Sequence, residues 1–341
     1  MKNQNQNILH AIQMGAIKKI LIVRFSSLGD VLLTSPFIRS LKKQFPNLII
    51  DFVVKESYKD ILVNNPYINK LYTLPSQKDK LLQFAIDLYE NNYDLIVDLQ
   101  NNFRSSSLIK KLNGRKTVFN KRTILKFLLV KFKINMLKDE PQIPLRYAET
   151  IPGFKLDPGG LDLFGNKMPN KKLEANNNLI GFCPGSRHFT KMWPKEYFIE
   201  LGNILSKAGY RIVLFGGKSD KVICSELHSA ITNSLSLCGD DDILQIAADM
   251  QMCKLVVCND SGLMHAACAV KIPVIVFFGS TVKEFGFTPY KNKNLILENN
   301  SLSCRPCSHI GRASCPKGHF KCMLQLTPQL AYKNIVELLE S

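Results

Sequence analysis

Long apolar runs are what this sequence most plainly lacks. No stretch approaches the ~20 residues needed to cross a bilayer, and the best candidate, residues 127–130, is closed off by Lys126 and Lys131. A membrane-spanning segment is therefore not expected. The N-terminus carries one early lysine and a polar Asn/Gln run before a short, interrupted apolar stretch. It has neither the apolar core nor the small-residue cleavage site of a secretory signal, so a cytoplasmic protein is expected. Acidic residues are also scarce, 28 against 45 Lys and Arg, for a formal charge of +17. Hydrophobic residues make up 45% of the 341, a composition that folds rather than stays disordered. At ~150 residues per domain the length suits two domains, each able to bury a core.

Two nucleotide fingerprints are missing as well. No GxGxxG follows a strand, and Gly216-Gly217-Lys218-Ser219 fails the phosphate-loop pattern because Ile212 stands where the earlier glycine is required. What is present is an alternation of short β-branched runs with helically spaced segments. Strands are expected at 19–23, 48–54, 70–74, 95–99, 179–183, 211–215, 255–258 and 274–278. Helices are expected over 31–44, 58–64, 78–90, 194–208, through Cys224, over 241–252 and after Ser261. Such alternation implies parallel sheets covered on both faces. Residues 141–178, dense in Pro, Gly, Asn and Lys, should hold the domain boundary. Each half opens with a strand, a polar loop and a helix, and ligands in such sheets bind beyond the carboxyl ends of strands. The loops at 24–30 and 184–193 should therefore line one cleft.

Each loop has a bland reading beside a chemical one. Asp30 closes the loop Arg24-Phe25-Ser26-Ser27-Leu28-Gly29-Asp30, where a carboxylate can simply cap the following helix. The loop from Pro184 to Pro194 brings Ser186, Arg187 and Lys191 to a helix N-terminus, a composition that can hold a diphosphate or merely be solvated. The third loop delivers Asp260-Ser261-Gly262 to the next helix, with Gly262 permitting close backbone approach of a ligand.

Together, Ser27-Leu28-Gly29-Asp30, Lys191-Met192-Trp193-Pro194 and Asp260-Ser261-Gly262-Leu263-Met264-His265 resemble the marks of the heptosyltransferase family, glycosyltransferase family 9. The resemblance runs from about Lys18 onward and includes residues 98–105 and the C-terminal cysteines. It implies an α/β GT-B fold, two Rossmann-like domains facing across a cleft: an extension at 1–17, an acceptor-binding domain over 18–165, and a sugar-nucleotide domain over 166–327. A C-terminal helix over 328–341 can pack back on the N-terminal domain. It further implies inverting transfer of a heptose from ADP-heptose to the lipopolysaccharide inner core. Asp30 matches the general base, Lys191 the donor-phosphate lysine, and Asp260, Ser261, Gly262 and His265 the donor turn. Ser186 and Arg187 join the donor set, and Ser27, Gly29, Asn101 and Arg104 the acceptor set. An acidic residue after residues 214–217 often holds the donor ribose, and Asp220, ahead of Glu226, is the candidate. No metal or other cofactor is needed for catalysis if Lys191, Arg187 and helix N-termini neutralise the leaving diphosphate. A monomer is expected. The rival readings are a transferase using another nucleotide sugar, a catalytically silent sugar-nucleotide or lipid-binding protein, and a nucleic-acid-binding protein.

Between Arg104 and Lys138 there are eleven Lys and Arg and no Asp or Glu. One-signed charge with interleaved aromatic and aliphatic residues points to a surface for a phosphorylated lipid-linked acceptor or for the anionic inner leaflet, with Lys121 and Arg122 as acceptor contacts. The protein is then expected to work at the inner face of the inner membrane. Nucleic acid is the rival partner for this charge, but no nucleic-acid motif accompanies it.

Of ten cysteines, Cys183, Cys224, Cys238, Cys253, Cys258 and Cys268 stand singly and are expected to be reduced core residues. Cys304, Cys307, Cys315 and Cys322 cluster with His309 and His319. That spacing admits a structural zinc or a reduced cysteine-rich loop.

Overall fold

Aliphatic runs become strands buried on both faces, which is why they read as continuous rather than alternating. The computed structural model describes residues 8–77, 79–173 and 178–340. Outside them lie the first seven residues of the expected extension, Lys78 at the start of an expected helix, 174–177 of the expected boundary, and Ser341. Unit 1 comprises Met1–Arg122 and Pro141–Phe164, and unit 2 comprises Thr123–Glu140 and Gly165–Ser341.

The chain begins with α1 (Ile8–Gln13), β1 (Lys19–Val23), α2 (Leu28–Leu32), α3 (Ser35–Gln44), β2 (Ile49–Lys55), β3 (Lys70–Leu74) and α4 (Lys80–Glu90). It continues through β4 (Leu95–Asp98), α5 (Phe103–Ile109), β5 (Arg115–Val118), α6 (Thr123–Phe132) and α7 (Ile143–Ala148). The rest of unit 2 contains β6 (Leu179–Cys183), α8 (Lys195–Lys207), β7 (Arg211–Leu214), α9 (Lys221–Ala230), β8 (Ser234–Ser236) and α10 (Ile243–Met250). It ends with β9 (Leu255–Asn259), α11 (Gly262–Ala269), β10 (Val274–Phe278), β11 (Asn294–Glu298), α12 (Lys321–Leu324) and α13 (Pro328–Glu340).

Unit 1 holds a five-stranded sheet in the order β3-β2-β1-β4-β5, and unit 2 a six-stranded sheet in the order β11-β10-β9-β6-β7-β8. All pairings are parallel. Counted from its own first strand, unit 2 repeats the order of unit 1 with one strand added. Each sheet therefore reverses its winding at one place, between β1 and β4 in unit 1 and between β6 and β9 in unit 2. A crevice opens there beyond the carboxyl ends of the strands.

The expected helix over 31–44 is broken in two. Pro36 has no N–H for the Leu32 carbonyl, and the Ser35 hydroxyl donates to that carbonyl instead at 2.8 Å, so α2 ends and α3 begins. The edge strands β5, β8 and β11 were not expected. β8 is the half-exposed Ser-Leu-Ser, and β5 buries only Thr117, so neither shows an apolar run.

The C-terminal helix α13 places Ala331 and Ile335 in the core around Leu201 and Leu205. One expectation is corrected here. Cys224 and Cys238 form a disulfide, with Cα atoms 6.4 Å apart, and are not free core thiols. Fourteen residues separate them in sequence, and only the docking of α9 beside β8 brings them together. Cys183, Cys253, Cys258 and Cys268 are buried and free, and burial pushes all four thiols up.

The centre of the unit 2 core is Trp193, 1% exposed. Its ring stacks on Phe277 at 4.1 Å and its Nε1–H donates to the Leu326 carbonyl at 2.7 Å. Trp193→Ala should lower stability by about 3–5 kcal/mol, the usual loss for a buried aromatic, measured by urea unfolding. A loss below about 1 kcal/mol would mean that the indole is a ligand contact and not a core pin.

Candidate active site

At the reversal point of unit 1 the chain leaves β1 through Arg24 and Phe25. The Gln100 side-chain oxygen, beyond β4, accepts from the Phe25 and Ser26 N–H groups at 2.9 and 3.2 Å. Arg24 donates to the carbonyls of Ser26 and Leu99 at 2.9 and 2.6 Å, so its guanidinium is fixed before it meets any charge. It then pairs with Asp30 at 2.6 Å, the two side chains 7% and 18% exposed. The other Asp30 oxygen accepts from the Ser27 N–H at 3.1 Å and the Ser27 hydroxyl at 2.7 Å. The capping role is thus real, and it coexists with an ion pair that a cap does not need. Burial alone pushes the Asp30 carboxyl up, but the Arg24 charge and the Ser27 hydrogen bonds outweigh it and hold the group below its usual range.

Lys121 belongs to this neighbourhood. Burial and the Arg24 charge lower its ammonium pKa, against the pull of Asp98 and Asp30. Asp98 accepts from the Gln100 and Asn101 N–H groups at 2.9 and 2.8 Å and from the Ser105 hydroxyl at 2.7 Å, which fixes the turn into α5. Asn101 itself holds that turn. Its φ is 43°, and its amide donates to the Phe119 carbonyl at 2.8 Å. Arg104 is exposed on the first turn of α5, and Arg122 pairs with Glu149 at 2.9 Å. The expected basic stretch is split, because its part beyond Arg122 belongs to unit 2, where the Lys126 ammonium lies 5.7 Å from the Phe287 ring. Tyr147, fully buried, has its ring 5.8 Å from the Arg24 guanidinium.

At the reversal point of unit 2, Asn259 ties two loops together. It accepts from the Trp193 N–H at 2.9 Å and donates to the Pro184 carbonyl at 2.8 Å. This brings Lys191, in a short turn (Phe189–Lys191), onto Asp260, the pair 2.7 Å apart and 15% and 9% exposed. Thr281 donates its hydroxyl to the same Asp260 oxygen at 2.7 Å. Ser261 stands at the N-cap position of α11 without a side-chain capping hydrogen bond, the helix starts at Gly262, and His265 is buried in it at 3% exposure. Ser186 is half-buried and Arg187 exposed. Asp220 accepts from the Gly217 N–H at 3.0 Å, and burial pushes its carboxyl up. A Cβ on Gly185 would come within 2.2 Å of the Asp220 carboxylate, so Gly185 lets that carboxylate reach the end of β6. Glu226 instead pairs with Lys195 at 2.7 Å, both about half exposed.

Burial and the charges of Cys307, Cys315 and Cys304 push the Cys322 thiol up, so the four C-terminal thiols are neighbours. Among the described residues no three His, Cys, Asp or Glu side chains are placed to hold an ion. Cys322 belongs to the buried core, while Cys304 Sγ lies 3.8 Å from His319 Nε2. The segment also delivers Arg305, which sequence reasoning missed. Its guanidinium donates to the carbonyls of Gly279, Phe278, Thr281 and Asn299 at 2.7, 3.1, 3.0 and 2.6 Å and pairs with Glu298 at 2.9 Å. It thereby holds the turn that carries Thr281. Arg24, Asp98, Gln100, Asn259 and Thr281 were also missed as site residues. Arg24 lies in the first of the three loops read from the sequence and Asn259 directly before the third, but only the fold shows which backbone groups they serve.

A model of glycosyltransferase family 9 (heptosyltransferase) matches residues 81–317. The lipooligosaccharide heptosyltransferase 2 of Haemophilus influenzae is 27% identical over 94% of this chain and 99% of its own length. A solved family 9 glycosyltransferase from Veillonella parvula superposes with a TM-score of 0.76 at 21% identity, over 95% of this chain and 98% of that one. The Escherichia coli heptosyltransferase WaaC, solved with ADP-2-deoxy-2-fluoro heptose, gives 0.70 at 22% identity, over 94% and 99%. The two reversal points thus sit in a GT-B fold, and the chain belongs to glycosyltransferase family 9, the heptosyltransferases.

Proposed function

We propose that this enzyme moves a heptose from ADP-heptose to the lipid-linked inner core of lipopolysaccharide, with inversion and without a metal. The observation that carries the reading is Asp30, held as a carboxylate by Arg24 and Ser27 beyond β1 and still 18% exposed. An inverting transfer needs one base on the acceptor side. Asp30 takes the proton of the acceptor hydroxyl as its oxygen bonds to the anomeric carbon, and the bond to the diphosphate breaks with its electron pair leaving on ADP.

Charge on the departing diphosphate is the second requirement. Lys191 has three donors and gives one to Asp260, so it can take a phosphate oxygen while Asp260 and Thr281 keep it aimed. The N–H groups that open α11 favour an anion at the same place. These groups supply the positive charge that a metal gives elsewhere. Lys121, drawn between Arg24, Asp98 and Asp30, suits an anionic sugar of the acceptor. Relatives named for lipooligosaccharide or lipopolysaccharide heptose transfer, and the ADP-sugar analogue in the E. coli structure, support this donor and acceptor. We propose a monomer acting at the cytoplasmic face of the inner membrane, with no nucleic-acid partner. Among the described residues no helix is long and apolar enough to cross a membrane.

The direct experiment offers a panel of ADP- and UDP-sugars to the purified enzyme with a defined core acceptor. Turnover confined to a UDP-sugar would overturn the donor assignment. On the preferred donor, Asp30→Asn keeps the cap geometry but not the base. Turnover should fall roughly 100-fold or more while ADP affinity holds.

The pH profile tests the same carboxylate differently. Arg24 lowers its pKa, so the base form survives as pH falls. Arg24→Gln should move the acid limb of kcat/KM to higher pH, and an unmoved limb would take the limb away from Asp30. Lys191→Ala should weaken ADP binding by calorimetry and also slow transfer, because product and transition state share the diphosphate charge. Unaltered ADP affinity would place Lys191 outside the site.

A further inference from the structure

The basic stretch beyond Arg122 has no part in the site just described, and its structure is unusual for a surface helix. α6 buries only Leu129, which packs with Leu137, Val282 and Phe285. The face turned away from that contact carries Ile124, Phe127 and Leu128 at helical spacing, and Lys131 continues it. Ile124 is 74% exposed and Phe127 57%. A helix apolar on both faces is ordinarily buried on both. The apolar surface continues past the helix with Phe132, Ile134 and Met136, 57%, 51% and 58% exposed. Phe132 packs edge-on against Phe127 at 5.9 Å. Scattered exposed apolar residues need no explanation, but contiguous ones do.

These side chains cannot fold inward. Lys133 donates to the carbonyls of Val130, Cys304 and Pro306 at 3.1, 3.0 and 2.6 Å, and Leu137 is buried at 0% exposure, so the segment is fastened to unit 2 on both sides of Ile134. Lysines outnumber acids beside the patch, where Glu284 accepts from the Asn135 amide at 3.4 Å and Asp139 follows Lys138. Residues 123–138 contain four lysines and no acidic residue.

We propose that α6 and residues 133–138 form a membrane-docking surface that seats Ile124, Phe127, Phe132, Ile134 and Met136 in the headgroup boundary of an anionic bilayer. A helix of ten residues is about 15 Å long, too short to span but suited to lying in the interface. Exposed Lys131 and Lys138 flank the apolar side chains where lipid phosphates would stand. The proposal rests on the preceding reading only in that a lipid-linked acceptor brings the enzyme to a membrane.

The test uses the full chain and sucrose-loaded vesicles, phosphatidylglycerol with phosphatidylethanolamine against phosphatidylcholine, with no donor or acceptor present. The parent should sediment with the anionic vesicles and not with the neutral ones. Phe127→Ser with Phe132→Ser should reduce that partition about tenfold, in low and high salt alike. Lys131→Glu with Lys138→Glu should reduce it in low salt, with the difference fading as salt screens the charges. Every replaced side chain is exposed, and unchanged ADP affinity checks that each variant is folded. Failure of the parent to bind, or phenylalanine variants that bind as the parent does, would overturn the proposal. So would a parent dimer in solution that the serine variants dissolve, because the face would then be covered by a second copy. Loss of heptose transfer in the donor panel would sink the functional reading and leave the vesicle result standing.

Discussion

Asn259 occupies a position that little else could fill. Its side chain lies at the end of β9, 0% exposed, accepting from the Trp193 N–H and donating to the Pro184 carbonyl. A buried backbone N–H or C=O left without a partner is costly, so both ends of the loop leaving β6 are pulled to one residue. Trp193 then fixes the far end of that loop through its stacking on Phe277, and Lys191, two residues earlier, comes onto Asp260. The donor-side geometry we propose descends from a single amide in the core.

The two units apply one topological rule to two chemical ends. Parallel winding reverses once in each sheet, and each reversal point carries a carboxylate paired with a cation: Asp30 with Arg24, and Asp260 with Lys191. Partly buried pairs of this kind stabilise little on balance, because desolvation offsets most of the attraction. Their value lies in orientation and in protonation state. Arg24 is held by two carbonyls before it reaches Asp30, and Lys191 is aimed by a carboxylate that Thr281 in turn holds. In both cases the ion is backed by neutral hydrogen bonds from a neighbouring strand end.

The cysteine-rich segment is organised by Arg305, whose guanidinium gathers carbonyls from the end of β10 and the loop after β11. The same segment is tied to the loop that carries Lys191. Thr190 exchanges hydrogen bonds with Arg312, and Ser280 donates to the Thr190 carbonyl. Convergence of side chains on a point depends on distances across the fold, and those are absent from a list of spacings.

The central strands β1, β6 and β10 were legible residue for residue, because a strand buried on both faces reads as a continuous apolar run. The loops beyond β1, β6 and β9, with Asp30, Lys191 and Asp260, were legible from their residue types and from the family they resemble. What the sequence could not carry was every interaction set by partners far along the chain. Edge strands such as β8 are held by neighbours more than by their own residues. The Cys224–Cys238 bond needs α9 against β8, and Arg24 needs Leu99. The basic stretch reads as one surface in sequence, yet it is divided because Leu129 and Leu137 find their apolar partners in Val282 and Phe285 of unit 2. Local patterning determined which elements form and which residues end them, because both follow from near neighbours. Tertiary structure alone decided which charges meet and which apolar face stays uncovered, because those depend on where distant segments come to rest.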